Sequence, residues 1–295
     1  MKGKQFADCI GPMAGVAGNA LSFGRGFTGL GFRHTQYSGA MDPIIMVDHY
    51  TMTSPTFGEH PHAGLSAISV IFEDAQGCFH NRDSLGNDID LQPGDLYWLN
   101  AGGGVVHDEV PRDGAKIHGL QIFVNLPSHL RCGAPSALHV KKASMPILKG
   151  HGYRVRLVLG DSNLECGVAS PIWPFTILDG FVNDGSDFAH QIAKHSNLWL
   201  YSVAGGIEYQ LNGEWVRLKQ SESIALTKLG ETHIKVRGVG AADSHFVILS
   251  GEVINEPFVQ RGPFVMSTEQ QLDEVIKRYQ RGEFGGLDAG ASSLC

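Results

Sequence analysis

Glu59-His60-Pro61-His62 and His107-Asp108-Glu109 are the stretches of this chain whose residue types and spacing point most directly to chemistry. In an extended strand, residues i and i+2 project to the same face, so each stretch offers two side chains to one point. Two such strands lying side by side would bring His60, His62, His107 and Glu109 together as three imidazoles and one carboxylate. That donor set suits a divalent transition metal, and its chemistry alone accepts Fe, Mn, Co, Ni, Cu or Zn. In a chain with fourteen histidines, either pair alone arises readily by chance. The setting adds weight, because each pair falls at the edge of a stretch patterned as a strand, with a β-meander's length of chain between them.

The elements that must position these residues are short strands. Pro43 to Tyr50 is a buried apolar run, and Leu65 to Phe72 alternates Ile68, Val70 and Phe72. Ser84-Leu85-Gly86-Asn87 and Pro93-Gly94-Asp95 read as turns, Leu96 to Leu99 as a strand, and Gly102-Gly103-Gly104 as a break before Val105. His118 to Leu126 is a further strand, closed by Pro127. Residues 131–149, with Pro135 and Pro146, read as a linker. A second β series then runs from Tyr153 to Leu249, with Gly205-Gly206 and Asn212-Gly213 as hairpin turns. Its order of events resembles the first half, which suggests an internal duplication. Strands at this spacing predict an all-β sandwich or barrel in each half. One helix is expected near the end, over about 267–281, with Ser267 as N-cap and Gln270 completing a capping box. The expected division is a first domain over 1–133 and a second over 134–295, the latter holding the helix and a flexible tail over 285–295.

Composition narrows the function classes. The 295 residues carry 42% hydrophobic and 18% charged side chains, enough for two ordinary cores. A net charge of −7 with no long basic run disfavours direct nucleic-acid binding and leaves protein partners open. Five scattered cysteines without a Cys-x-x-Cys read as reduced thiols. No apolar stretch has the length of a signal peptide or membrane span. The expectation is a soluble, cytoplasmic protein.

The order of motifs carries a resemblance. His60-Pro61-His62-Ala63-Gly64, Arg82-Asp83-Ser84-Leu85-Gly86-Asn87, Pro93-Gly94-Asp95-Leu96-Tyr97-Trp98 and Ala101 through Glu109 follow one another as in the pirin family. His118 to Pro127, Gly251 to Pro257 and Gly262 to Met266 extend the match over nearly the whole chain. The resemblance implies a bicupin, two jelly-roll-like β-barrels in tandem with a short C-terminal helix and a metal in the first barrel only. It also implies His60, His62, His107 and Glu109 as the ligands and Fe(II) as the metal. The broader cupin pattern often has Glu four residues after the second His, where this chain has Ser66. Two further departures stand beside the site: relatives usually carry Arg where this chain has Ala63 and Gly103, a loss of positive charge that bears on anionic substrates and acidic partners. His118 is a candidate for orienting a ligand, His80 reads as an exposed loop residue, and His233 as structural.

Two functions follow from the resemblance. One is a metal-dependent dioxygenase of the quercetin 2,3-dioxygenase type acting on a small aromatic, flavonoid-like substrate, with Glu109 as ligand and proton acceptor. The other is a non-enzymatic iron protein that senses redox state and binds a regulatory protein partner.

Overall fold

Alternating apolar and polar residues between glycine-rich turns give strands almost throughout the computed structural model, which describes residues 14–211, 213–227, 232–240 and 243–287. The expectations for Cys9, Cys295, Asn212 and the tail beyond 287 lie outside those residues. The chain forms two compact units, neither continuous in sequence. One gathers Ala20–Gly31, Ile45–Lys142 and Ile254–Cys295, the other Met1–Asn19, Phe32–Ile44 and Ala143–Val253.

The first of these units faces a seven-stranded antiparallel sheet with a four-stranded one. The large sheet runs Ser136–Val140, Leu96–Asn100, Leu65–Ile71, Ile117–Asn125, Ile44–Met52, Phe27–Arg33, Asn19–Phe23. The small sheet runs His60–His62, Val105–Pro111, Phe79–Asp83, Asp88–Leu91. Leu65–Ile71 lies between two neighbours in the large sheet and is buried on both faces, which is why it reads as a nearly continuous apolar run. Phe79, Leu91, Leu99, Val105 and Ile117 form the core at one end.

The second unit repeats the scheme. Its seven-stranded sheet centres on Ser196–Ala204, Ser244–Glu252 and Phe175–Val182, and its four-stranded sheet on Thr232–Val239 and Gly206–Leu211. Leu157, Phe188, Leu200, Ile224, Ile234 and Phe246 are among the side chains that fill its core. Each unit is thus jelly-roll-like, and the architecture is the bicupin that the motif order implied.

The units differ from a simple cut at residue 133 at both ends of the chain. Val16 and Ala17 pair with Ser223 and Glu222 of the second unit. At the other end, the helix packs with the first unit rather than the second: Leu272 and Val275 are buried against Ala63, Val106, Phe264 and Phe284. Burial of each such side chain contributes roughly 1.5–3 kcal/mol. The helix spans Glu269–Gln280, and its N-cap is Thr268, whose Oγ1 accepts the Gln271 N–H at 3.2 Å. The expected cap at Ser267 is therefore off by one. Ser267 instead donates its backbone N–H to the Gln271 carbonyl oxygen Oε1 at 3.1 Å. Among the described residues no helix is long and apolar enough to cross a membrane.

Candidate metal centre

Strand register brings the histidines together. His60–His62 pairs antiparallel with Val105–Pro111, placing His60 opposite His107 and His62 opposite Val105. His60 and His62 share a face by alternation, and His107 joins it across the pair. The His107 Nε2 lies 3.0 Å from His62 Nε2 and 2.9 Å from His60 Nε2. Among the described residues these three form the group whose ligand atoms all fall within 4.8 Å of one another.

The surrounding motifs hold the strands rather than touch the cluster. Asp83, at the end of Phe79–Asp83, accepts the backbone N–H groups of Leu85 and Asn87, the Asn87 amide and the Tyr97 hydroxyl. That turn presents Ser84, which accepts the Val106 N–H at Oγ (3.1 Å) and donates its own backbone N–H to the Val106 carbonyl (2.8 Å). The residue before His107 is thereby fixed. On the other side, the Val265 N–H donates to the Ala63 carbonyl at 2.9 Å, so the C-terminal segment braces the residue after His62. Gly64 (φ 76°) permits that approach, since a Cβ there would stand 1.6 Å from the Val265 carbonyl oxygen.

The donor atoms suit a cation. His60 Nδ1 lies 2.8 Å from the Gly58 carbonyl, which can only accept, so the proton sits on Nδ1 and Nε2 carries a lone pair. Burial holds all three imidazoles toward their neutral forms. It lowers His60, drops His62 to about 3 with help from the neighbouring His60, and takes His107 well below its ordinary value with help from both. The Pro263 carbonyl opposes the fall at His62 and is outweighed. Three neutral nitrogens facing one another satisfy only part of their bonding with shared protons. A spacing of 2.9–3.0 Å is that of two nitrogens at about 90° around one ion with bonds of about 2.1 Å. The residues fit a first-row divalent metal.

Glu109 stands apart from the imidazole cluster. Its strand continues past the three-residue His60–His62 partner, and its Oε1 accepts the Ser69 hydroxyl at 2.5 Å from the facing sheet. Burial pushes its carboxyl up to about 7; the Ser69 hydrogen bond pulls it back and Asp108 pushes it further up. Ser66, the position of the broader cupin glutamate, alternates with Ser69 and so faces away from the cavity. His118 is likewise absent from the centre, hydrogen-bonding His49 and Asp74 instead. His80 is on a strand and bonds Asp88 at 2.7 Å, not on an exposed loop.

His60 and His62 lie in the wall of a cavity of about 390 Å³ between the two sheets. Phe23, Phe27, Met46, Met52, Phe57 and Phe123 supply apolar wall, while Asp48, Tyr50, Glu109 and Gln121 supply polar groups. Phe23 and Phe57 are 44% and 51% exposed and pack edge-on to each other. The Tyr50 hydroxyl is buried with no hydrogen-bond partner, and burial followed by the Glu109 charge raises its pKa. Of these lining residues, only Glu109 stands in the motifs that the sequence marks for chemistry. The signal was present in Ile44–Met52, where Met46, Asp48, Tyr50 and Met52 fall on one face. Of the two departures, Ala63 is fully buried in an apolar cluster, and the carbonyl of Gly103 accepts the Arg278 guanidinium at 3.0 Å from the C-terminal helix.

Comparison with known proteins bears on fold and family. Residues 29–124 match the pirin family profile, and residues 177–285 match that of the pirin C-terminal cupin domain. Pirin of Homo sapiens is 28% identical over 249 residues, covering 83% of each chain. A pirin-like protein of Arabidopsis thaliana is 30% identical over 259 residues, covering 81% of this chain and 78% of its own. Among solved structures, a quercetin 2,3-dioxygenase from Acinetobacter baumannii superposes with a TM-score of 0.81 at 24% identity, over 92% of this chain and 97% of its own. A bacterial pirin, YhhW, in complex with nickel(II) from Escherichia coli, gives 0.59 at 18% identity, over 80% and 96%. The two profile matches and the identity to these relatives show that the chain belongs to the pirin family.

Proposed function

We propose that the protein is a metal-dependent dioxygenase of the quercetin 2,3-dioxygenase type, acting on a neutral, planar aromatic substrate of the flavonoid kind. The observation that carries this reading is the convergence of three imidazole nitrogens beside an apolar, aromatic-lined cavity whose wall holds two of them, His60 and His62. Two solved relatives of this fold bear the name quercetin 2,3-dioxygenase, which supports the choice of chemistry. His60, His62 and His107 would hold the metal, with Glu109 as fourth ligand on rotation away from Ser69. Fe(II) is the ion that the family resemblance favours. When bound, the metal supplies Lewis-acid and redox chemistry toward an oxygen-bearing substrate and O2.

The rest is the work of the chain's own residues. Phe23, Phe27 and Phe57 offer ring faces and edges to a planar ligand. Among the described residues no Lys or Arg lines the cavity, while the carboxyls of Asp48 and Glu109 do, which disfavours a carboxylate substrate. The unpaired Tyr50 hydroxyl is poised to hydrogen-bond a substrate oxygen. Glu109, when off the metal, would take a substrate hydroxyl proton as general base. Cys78, Cys132 and Cys166 are free thiols, in keeping with a reducing, cytoplasmic setting.

The test is anaerobic loading with Fe(II), Mn(II) or Ni(II), followed by oxygen uptake on addition of quercetin. Uptake that requires the loaded metal and falls in His107→Ala supports the enzyme. Silence with every metal removes it and leaves a metal-holding binding protein.

A further inference from the structure

A second group of metal-ligating side chains stands on the opposite face of two strands that wall the cavity. Along Ile44–Met52, the cavity takes Met46, Asp48, Tyr50 and Met52, so His49 projects from the other face. Along Ile117–Asn125 the cavity takes Gln121 and Phe123, and His118, of opposite parity, projects beside His49. Their Nε2 atoms are 2.8 Å apart. His118 Nδ1 lies 2.8 and 2.9 Å from the two Asp74 carboxylate oxygens, which places its proton on Nδ1 and leaves a lone pair on Nε2, aimed at His49. The buried Phe72 ring packs edge-on against both imidazoles, with centroids at 5.8 and 5.0 Å, and its backbone N–H donates to the His118 carbonyl. The rings are thus held from behind, while the His118 side chain is 22% exposed and that of Asp74 67%.

We propose that His49 and His118 form a second divalent-cation site, separate from the three-histidine centre, with Asp74 holding His118 in the ligating tautomer. The Nε2 separation is close to the 2.9–3.0 Å found among His60, His62 and His107. The carboxylate on the far nitrogen is the usual outer partner of a metal-bound imidazole and raises its basicity. Two nitrogen donors select Cu2+, Ni2+ or Zn2+ over Mg2+ and Ca2+, which prefer oxygen cages. Water completes the coordination from the exposed side. With two protein ligands rather than three, this site fills after the first. The competing arrangement is an imidazole pair that only shares a proton, and metal stoichiometry separates the two.

Ni2+ titration of the full-length protein, followed by calorimetry, is expected to give two equivalents. His49→Ala and His118→Ala should each retain only the first, whereas His62→Ala should lose the first and retain the second. Asp74→Asn should weaken the second equivalent by about 10–100-fold and leave the first unchanged. Cu2+ loaded into His62→Ala should show nitrogen couplings in its electron paramagnetic resonance spectrum that vanish when His49→Ala is added. Circular dichroism checks folding, and His118→Gln replaces His118→Ala if the latter misfolds. A single equivalent in the wild type overturns the proposal. So does a second equivalent whose affinity is unchanged in both His49→Ala and His118→Ala, and an unchanged Asp74→Asn removes Asp74 from it.

Discussion

At the scale of single residues, the three imidazoles meet while Glu109 is held from the facing sheet. His60, His62 and His107 are the side chains whose nitrogens meet, so alanine at any of them is expected to leave the purified protein with well under stoichiometric metal by elemental analysis. Glu109 stands differently, tied to Ser69 across the cavity. Glu109→Gln is expected to keep most of the metal while turnover falls by about 10²–10⁴-fold, the usual span for loss of a general base. Full metal with full turnover in that variant would remove Glu109 from both roles. The residue the cavity adds is Tyr50, whose buried hydroxyl is unpaired among the described residues. Tyr50→Phe should raise KM for a phenolic substrate and leave metal content alone.

At the scale of elements, the metal-bearing strands depend on a segment from the far end of the chain. Pro263 and Val265 run along Ala63, and the Phe284 ring packs on Gly104. Gly104 has φ 141°, and a Cβ there would lie 2.2 Å from the Phe284 ring. Both facts demand glycine at that point of the Gly102-Gly103-Gly104 turn that leads into Val105 and His107. Phe284→Ala removes a buried ring from the cluster of Val106, Phe264 and Leu272 and should cost about 3–5 kcal/mol in denaturant unfolding. An effect within experimental error would mean that the segment is not structurally coupled to these strands.

At the scale of the whole molecule, each unit has its own stability lever. In the second unit, Asp179 is buried between Arg156 and His245. Burial alone would push its carboxyl up, but Arg156 and then His245 outweigh it and hold the group well below the ordinary carboxylate range. A carboxyl depressed in the folded state contributes stability that is complete above its unfolded pKa of about 3.9 and is lost as pH falls through the folded value. Acid unfolding should therefore steepen below about pH 4. Asp179→Asn should flatten that limb while lowering stability at pH 7 by about 3–5 kcal/mol, because Arg156 would remain buried without its counter-charge. In the first unit the lever is the metal. Ion binding to the folded state alone adds about 2.7 kcal/mol at a hundredfold excess over Kd. Thermal denaturation should show a metal-dependent rise in Tm that shrinks in His62→Ala to the part supplied by the His49–His118 pair, and an undiminished rise in that variant would remove the three-histidine centre as its source.

Much of this was legible in the residues. Strand alternation needs only period-two patterning, so it placed His60 with His62 and His107 with Glu109 before any fold was known. The all-β sandwich or barrel character came from short apolar runs between turn residues, its jelly-roll form from the pirin resemblance, and the helix from Leu272, Val275, Ile276 and Tyr279 at helical spacing. Other features depend on contacts between residues distant in sequence, which carry no local signal. Register across His60–His62 and Val105–Pro111 decided that three imidazoles meet, and contact across the two sheets gave the Glu109 carboxylate its Ser69 partner. Chain crossing put the helix on the first cupin rather than the second, because Ala63 and Val106 offered the apolar surface that Leu272 and Val275 cover. Strand order gave His118 to His49, and the fold gave it Asp74, on the face away from the metal centre. The sequence by itself determined which donors exist and which share a strand face, since that is local geometry. Only the tertiary structure decided which donors meet, because meeting is settled by pairing register and by packing between sheets.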